Sequence, residues 1–218
     1  MYKAVIFDLD GTLLDTISDI ADSVNAALRS NGYNEFTEYE YKYFVGKGID
    51  ELIRTIIKEG GIGDEEFTKL KNGYIEEYAK RHSAKTKPYE GILELLAELK
   101  ANGIKTCILS NKPHFQTEEV VDKYFSQSEF DIVFGKLPEY EIKPNPESAE
   151  KIIELLGMRK EDILYVGDTN TDIQTAINAG LDSVGVLWGF RTEGELVEAG
   201  ADYIARDPED IFKLIKGD

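Results

Sequence analysis

The sequence predicts an α/β fold: a doubly wound parallel sheet with an all-helical domain inserted after its first strand. Three observations predict it. The chain opens on a short apolar run, Ala4-Val5-Ile6-Phe7, rich in β-branched and aromatic residues, as a buried parallel strand should be. From residue 86 onward, apolar strand-length runs alternate with helix-length runs, which implies a parallel sheet with right-handed crossovers. Between residues 16 and 85 only helical patterning appears, more than a single crossover helix needs. The expected division is residues 1–15 and 86–218 for the sheet domain and 16–85 for the insertion.

The first strand does not stop in a plain turn. Asp8-Leu9-Asp10-Gly11-Thr12 follows the apolar run directly. Two carboxylates therefore stand at the carboxyl end of a buried strand, where open α/β sheets place their ligands. Gly11 permits a sharp turn, so both acids can face one cleft. Close carboxylates repel each other, and a bound cation relieves the repulsion. An Asp-Gly turn would explain Asp10 and Gly11, but not an acid set straight after four apolar residues.

The insertion comes next. Ile17, Ile20, Ala21, Val24, Ala27 and Leu28 recur at helical spacing, and Gly32 closes the run. Tyr39–Phe44 reads as a polar-aromatic stretch leading into the loop Val45-Gly46-Lys47-Gly48. Ile49–Glu59 and Glu65–Arg81 read as helices on either side of Gly60-Gly61-Ile62-Gly63, and Lys85–Tyr89 as the return linker. The sheet pattern then resumes: helix Gly91–Ala101, strand Ile104–Leu109, helix Phe115–Phe125 and a short strand Asp131–Phe134. Helix Glu147–Leu156, strand Ile163–Val166 and helix Asp172–Ala179 with Gly180 as its C-cap follow. Ser183–Leu187 and Ala201–Ile204 close the pattern as two last strands.

Composition narrows the function classes. At 42% hydrophobic and 31% charged residues with 6 Pro, the 218-residue chain is globular. Its net charge of −17, from 42 acids and 25 bases, repels nucleic acid and anionic lipid, so neither is expected as a partner. The same field repels a phosphate ester unless a metal or local lysines overcome it. Cys107 is the one cysteine and lies in an apolar run, which suits a small buried side chain in a reducing compartment. With no apolar run of membrane-spanning length and no signal peptide before the first strand, a cytoplasmic location is expected.

Three further strand ends carry polar groups. Ser110 follows Ile108-Leu109, and its hydroxyl could hold phosphate oxygens or simply cap a helix. Lys143 precedes Pro144, which stiffens its backbone in an extended form. A lysine there could offset phosphoryl charge, though most lysines are solvated surface groups. Asp168 ends a buried strand, and Asp172 lies one helical turn further on. Both can point back at the cleft. Helix capping and the helix dipole would account for Asp172 but not for Asp168.

Taken in order, Asp8-x-Asp10-Gly-Thr, Ser110, Lys143 and Gly167-Asp168-x3-Asp172 resemble the four motifs of the haloacid dehalogenase superfamily. The resemblance covers the whole chain, insertion included. Ser110-Asn111-Lys112-Pro113, and Gly167-Asp168-Thr169 with Ala179-Gly180 closing the following helix, look like the phosphoglycolate phosphatase-like group. This resemblance implies a hydrolase of small phosphorylated metabolites. Asp8 is implied as the nucleophile and Asp10 as the general acid and base. Ser110, Asn111 and Lys143 are implied as phosphate-binding groups, and Asp8, Asp10 (through its carbonyl), Asp168 and Asp172 as the ligands of Mg²⁺. The insertion is implied to be a cap, with Lys47 in its substrate-selecting loop.

The same superfamily holds dehalogenases, phosphonatases, pyrophosphatases and sugar-phosphate mutases. Asp10 argues against the first two, which need no alcohol protonated. A pyrophosphatase or a mutase stays open. A non-catalytic phospho-switch shares the Asp, Ser/Thr and Lys set, but receiver domains are much shorter and have no cap. The sequence leaves monomer and homodimer unresolved.

Overall fold

The computed structural model describes residues 1–81, 84–126 and 129–217. Its strands are β1 (Ala4–Phe7), β2 (Leu14–Asp15), β3 (Lys87–Pro88), β4 (Lys105–Pro113), β5 (Ile132–Lys136), β6 (Ile163–Gly167), β7 (Asp182–Val186) and β8 (Tyr203–Ala205). Its helices are α1 (Ile17–Ser30), α2 (Glu38–Phe44), α3 (Gly48–Gly60), α4 (Phe67–Arg81), α5 (Ile92–Ala101), α6 (His114–Tyr124), α7 (Glu147–Leu156), α8 (Asn170–Ala179), α9 (Glu193–Glu198) and α10 (Pro208–Lys216). The chain divides into two compact units: Met1–Leu14 with Pro88–Asp218, and Asp15–Lys87.

The first unit is built on a parallel sheet of six strands in the order β5-β4-β1-β6-β7-β8. β1 lies inside it, with Phe7 opposite Ile108 of β4 on one side and Val166 of β6 on the other. The chain runs outward from β1 to β4 and β5, then returns beside β1 and runs out the other way. That reversal puts the carboxyl end of β1 at the switch point of the sheet, where such folds open a crevice. Alternate residues of each strand feed two cores. Val5, Phe7, Ile108 and Val166 pack with Leu95 and Leu99 of α5, Val120 of α6 and Ile211 of α10. Ala4, Ile6, Cys107 and Leu109 pack with Ile152 of α7 and Ala176 of α8 on the opposite face. Each buried Leu or Ile contributes about 1.5–3 kcal/mol, so the strands are fixed from both sides.

β4 is longer than its apolar run. It continues through Pro113, and its register against β5 shifts between Leu109↔Phe134 and Pro113↔Lys136. Ser110, Asn111 and Lys112 are thus bulged out opposite Gly135. Bulges of this kind re-aim side chains beside functional sites. Gly135 has to be glycine there. A Cβ on it would lie 2.6 Å from the Cα of His114 and 2.7 Å from the carbonyl oxygen of Lys112.

Three helices go beyond the sequence reading, and each has a local signal. α2 forms where only a polar-aromatic stretch was expected. A capping box starts it, with Thr37 as N-cap and Glu40 accepting from the Thr37 N–H. α9 has the same device in Thr192 and Glu195. α10 starts on Asp207 with Pro208 in its first turn. α8 begins two residues earlier than expected, with Thr169 as its N-cap.

In the second unit α1 packs mainly against α4, and Ala27 meets Gly73 so closely that a Cβ on Gly73 would lie 3.1 Å from the Ala27 Cβ. α2 is tied to α1 through Asn25, whose Oδ1 accepts from the Tyr41 hydroxyl (2.7 Å) and from the Phe36 N–H (3.1 Å). The buried carboxylate of Asp19 takes bonds from the N–H groups of Lys85 and Thr86 and from the Thr86 hydroxyl. A buried charge needs such partners, and these pin the return segment to α1.

Candidate active site

The site is built at the carboxyl ends of β1, β4 and β6. Asp8 extends the ladder by one step, its N–H donating to the Val166 carbonyl at 2.9 Å. Leu9 is fully buried in the core. Its anchoring leaves Asp8 and Asp10 on the other side of the backbone. The Asp8 Oδ1 accepts from Lys143 Nζ at 2.7 Å. The same ammonium donates to Asp172 Oδ1 at 2.7 Å and to the Leu109 carbonyl at 3.0 Å.

Asp168 and Asp172 approach from β6 and α8. Asp168 accepts from the Thr12 hydroxyl (3.2 Å) and from the Phe190 N–H (2.8 Å). Asp172 Oδ2 accepts from the Thr169 hydroxyl (2.6 Å) and N–H (3.1 Å). Asp172 therefore caps α8 and faces Lys143 at once. Asp8, Asp168 and Asp172 are all buried and offer carboxylate oxygens within 4.8 Å of one another.

The electrostatics follow from that crowding. Burial, then the Asp172 carboxylate, pushes Asp8 up to about 7 against the pull of Lys143. Burial, then Asp172 and Asp8, holds Asp168 well above the usual carboxylate range. For Lys143, burial acts to release the proton, but Asp172 and Asp8 outweigh it and the ammonium is held firmly. Three acids share one lysine, and the upward shifts of Asp8 and Asp168 show how poorly the dry site holds several negative charges without a further cation. The donors are all hard carboxylate oxygens, which fits a divalent cation of the Mg²⁺ type.

The bulge of β4 supplies the rest. Ser110 is buried, and its hydroxyl accepts from the Lys112 N–H at 3.2 Å. Asn111 does something else. Its amide accepts from the Lys143 N–H (2.8 Å) and donates to the Lys143 carbonyl (3.1 Å). Both ends of that amide grip the backbone of Lys143. Lys47 is the N-cap of α3, exposed, between two glycines of positive φ (Gly46, 120°; Gly48, 80°). A cation at a helix N-terminus works against the dipole, so helix stability does not explain its presence.

Two groups were given no role by the sequence reading. Lys112 Nζ lies 2.9 and 3.0 Å from the two Asp10 oxygens, in a partly buried ion pair. The loop after β7 closes over Asp168: Trp188 Nε1 donates to the Thr12 carbonyl at 2.9 Å, and Phe190 supplies the N–H to Asp168. A Cβ on Gly189 would lie 2.4 Å from the Gly11 carbonyl oxygen, so only glycine fits. Trp-Gly-Phe at a further strand end of the sheet was the available signal.

Residues 5–186 match the haloacid dehalogenase-like hydrolase family. The chain belongs to that family. Among its relatives is a phosphoglycolate phosphatase of Aquifex aeolicus, 30% identical over 217 residues, covering 98% of this chain and 96% of that one. A protein of Caldanaerobacter subterraneus subsp. tengcongensis named as a candidate pyrophosphatase is 33% identical over 215 residues, covering 98% and 94% of the two chains. The crystal structure of a candidate phosphoglycolate phosphatase from Lactobacillus delbrueckii subsp. bulgaricus superposes with a TM-score of 0.93 at 31% identity, covering 98% of each chain. This family member is therefore a hydrolase of the phosphoglycolate phosphatase-like kind. Among the described residues, no helix is long and apolar enough to cross a membrane.

Proposed function

We propose that the protein is a Mg²⁺-dependent phosphatase that hydrolyses a small phosphorylated metabolite, of the phosphoglycolate type, through an aspartyl-phosphate on Asp8. The observation that carries this reading is the buried cluster itself: Asp8 joined by one ammonium to Asp172, with Asp10 two residues along and Asp168 beside them.

Asp8, Asp168 and Asp172, with the Asp10 carbonyl, would hold the metal, which when bound offsets charge on the phosphoryl oxygens. The Asp8 carboxylate oxygen forms a bond to phosphorus as the bond to the ester oxygen breaks. Asp10, having taken a proton from solvent as one of its oxygens turns from Lys112 to the substrate, gives it to the departing alcohol. Asp10 then takes a proton from water, whose oxygen attacks the same phosphorus and releases phosphate and free Asp8. Lys143 and Ser110 sit where they can meet the transferring oxygens. Asn111 fixes the backbone from which Lys143 reaches. Residues 15–87 act as the cap that excludes bulk water, and Lys47 meets an anionic group of the substrate. A cytoplasmic location suits an enzyme of phosphorylated metabolites.

A second reading, a pyrophosphatase, is favoured by the Caldanaerobacter relative, since the same residues can split a phosphoanhydride. The test is phosphate release from p-nitrophenyl phosphate, 2-phosphoglycolate and pyrophosphate, each with Mg²⁺ and after exhaustive chelation. Continuous, metal-dependent turnover of the two monoesters, faster than of pyrophosphate, is expected. Full activity after chelation would remove the metal from the reading, and a single stoichiometric uptake of phosphate would make the protein a switch.

A further inference from the structure

The site holds two buried lysines, and they stand on different carboxylates. Lys143 lies against Asp8 and Asp172, on the side of the nucleophile. Lys112 lies against Asp10, on the side of the acid, with its own side chain 5% exposed and that of Asp10 13%. The β4 bulge builds this position. The Lys112 N–H is tied to Ser110 Oγ, its carbonyl accepts from the Thr117 hydroxyl at 3.3 Å, and Gly135 passes close beneath. A lysine buried this deeply is rare without a partner or a task.

We propose that Lys112 reads the charge of the leaving alcohol and selects phosphate monoesters whose alcohol bears a carboxylate close to the ester oxygen. The proposal rests on the reading of Asp10 as the group that protonates that oxygen. Its strength is reach. An oxygen hydrogen-bonded to Asp10 lies about 2.7 Å beyond it, which keeps the leaving oxygen within roughly 6 Å of Lys112 Nζ. A carboxylate one carbon away from the ester oxygen spans that gap. Asp10 holds Lys112 through both of its oxygens. Turning one of them to the substrate loosens that grip and brings the ammonium towards the incoming anion. Without this cation the carboxylate would enter among Asp8, Asp10, Asp168 and Asp172 on a protein of net charge −17. A neutral alcohol gains nothing from it. Selection would then begin in the core, at the atom next to the chemistry, and the cap loop would refine it.

The experiment compares 2-phosphoglycolate with its carboxamide, a neutral compound of the same size, in the full-length protein with Mg²⁺. The wild type should favour the acid by roughly 10–100-fold in kcat/KM, the value of one desolvated charge-assisted hydrogen bond. Lys112→Met should lower that ratio by roughly tenfold or more, and Lys112→Arg should keep most of it. Lys112→Gln replaces the Met variant if the latter does not fold. A wild type with no preference overturns the proposal. So does a Met or Gln variant that slows both substrates equally with the ratio intact, since Lys112 would then only hold Asp10 in place. Loss of the ratio in Lys112→Arg overturns it as well. Turnover of p-nitrophenyl phosphate by the wild type is measured alongside. Its absence would sink the phosphatase reading itself, whereas turnover without acid preference sinks only the role of Lys112.

Discussion

Gly189→Ala tests how the Asp168 carboxylate is held. A Cβ at this position would lie 2.3 Å from the Asp168 Cβ, 2.4 Å from the Gly11 carbonyl oxygen and 2.5 Å from Asp168 Oδ2. Carbon reaches ordinary contact near 3.5 Å, so the loop or Asp168 must shift by about 1 Å. The neighbouring Phe190 N–H, which donates to Asp168 at 2.8 Å, would move with it. Overpacking of this kind costs about 1–3 kcal/mol, and loss of a hydrogen bond to a charged group about 1.5–3 kcal/mol. Typical stabilities of 5–15 kcal/mol survive the first of these and most survive both. Activity should suffer more than stability, because a displacement of about 1 Å can lower a rate roughly a hundredfold. The assay is kcat/KM for phosphate release across a Mg²⁺ titration, with thermal unfolding beside it. A fall of about a hundredfold and a higher Mg²⁺ requirement are expected. Gly194→Ala is the control, because a Cβ there meets nothing within 4 Å. Wild-type kcat/KM and Mg²⁺ dependence in Gly189→Ala would refute the reasoning, since Asp168 would then not depend on this loop.

Asp8→Asn should abolish turnover of every substrate, while Asp10→Asn should slow an alkyl phosphate by roughly a hundredfold or more and p-nitrophenyl phosphate, with its better leaving group, much less. Equal losses on both esters would deny Asp10 its role as the acid. Lys47→Ala should lower kcat/KM by roughly tenfold for a carboxylate-bearing ester and leave p-nitrophenyl phosphate nearly unchanged, as steady-state kinetics would show. Parallel losses would make Lys47 a support of the cap fold instead. Burial pushes the Cys107 thiol up to about 12, so native protein should resist a thiol reagent at pH 8 and react once unfolded. The sign for stability is the same: the unfolded thiol ionises near pH 8.5 and the folded one does not, so stability should fall as pH rises beyond that point. Rapid labelling of the native protein would contradict the buried placement.

The parts of the site that sequence could reveal are those written in a few adjacent residues. An acid set directly after four apolar positions needs no partner to be conspicuous, and β1 with Asp8 could be read for that reason. Asp168 was legible in the same way. Lys112 was not, because its meeting with Asp10 depends on three residues of β4 bulging opposite one of β5. Apolar patterning ends at Leu109 and says nothing of a register shift beyond it. Asn111 sat in a recognisable motif, yet its amide turned to a backbone far along the chain, and no local rule gives that pairing. The need for glycine at 189 comes only from Gly11 and Asp168, which the fold brings against it. The short helices α2 and α9 did announce themselves through Thr37 with Glu40 and Thr192 with Glu195. Their apolar content was too slight for periodicity to reveal them.

The way the first unit loses and regains its chain has a consequence for how such a protein can change. Leu14 and Pro88 both belong to that unit, and the N–H of Tyr89 donates to the Leu13 carbonyl at 3.2 Å. To the sheet, residues 15–87 are one closed excursion whose ends are stitched together by the sheet's own residues. The entropy of closing such a loop grows only with the logarithm of its length, so doubling it would cost the sheet about 0.6 kcal/mol. Lineages can therefore enlarge, trim or replace the excursion with little penalty to the catalytic scaffold. Asp8 and Asp10 precede the point of departure, and every other member of the acidic cluster follows the point of return. Changes in the excursion can then accumulate without touching the segments that carry the acidic cluster.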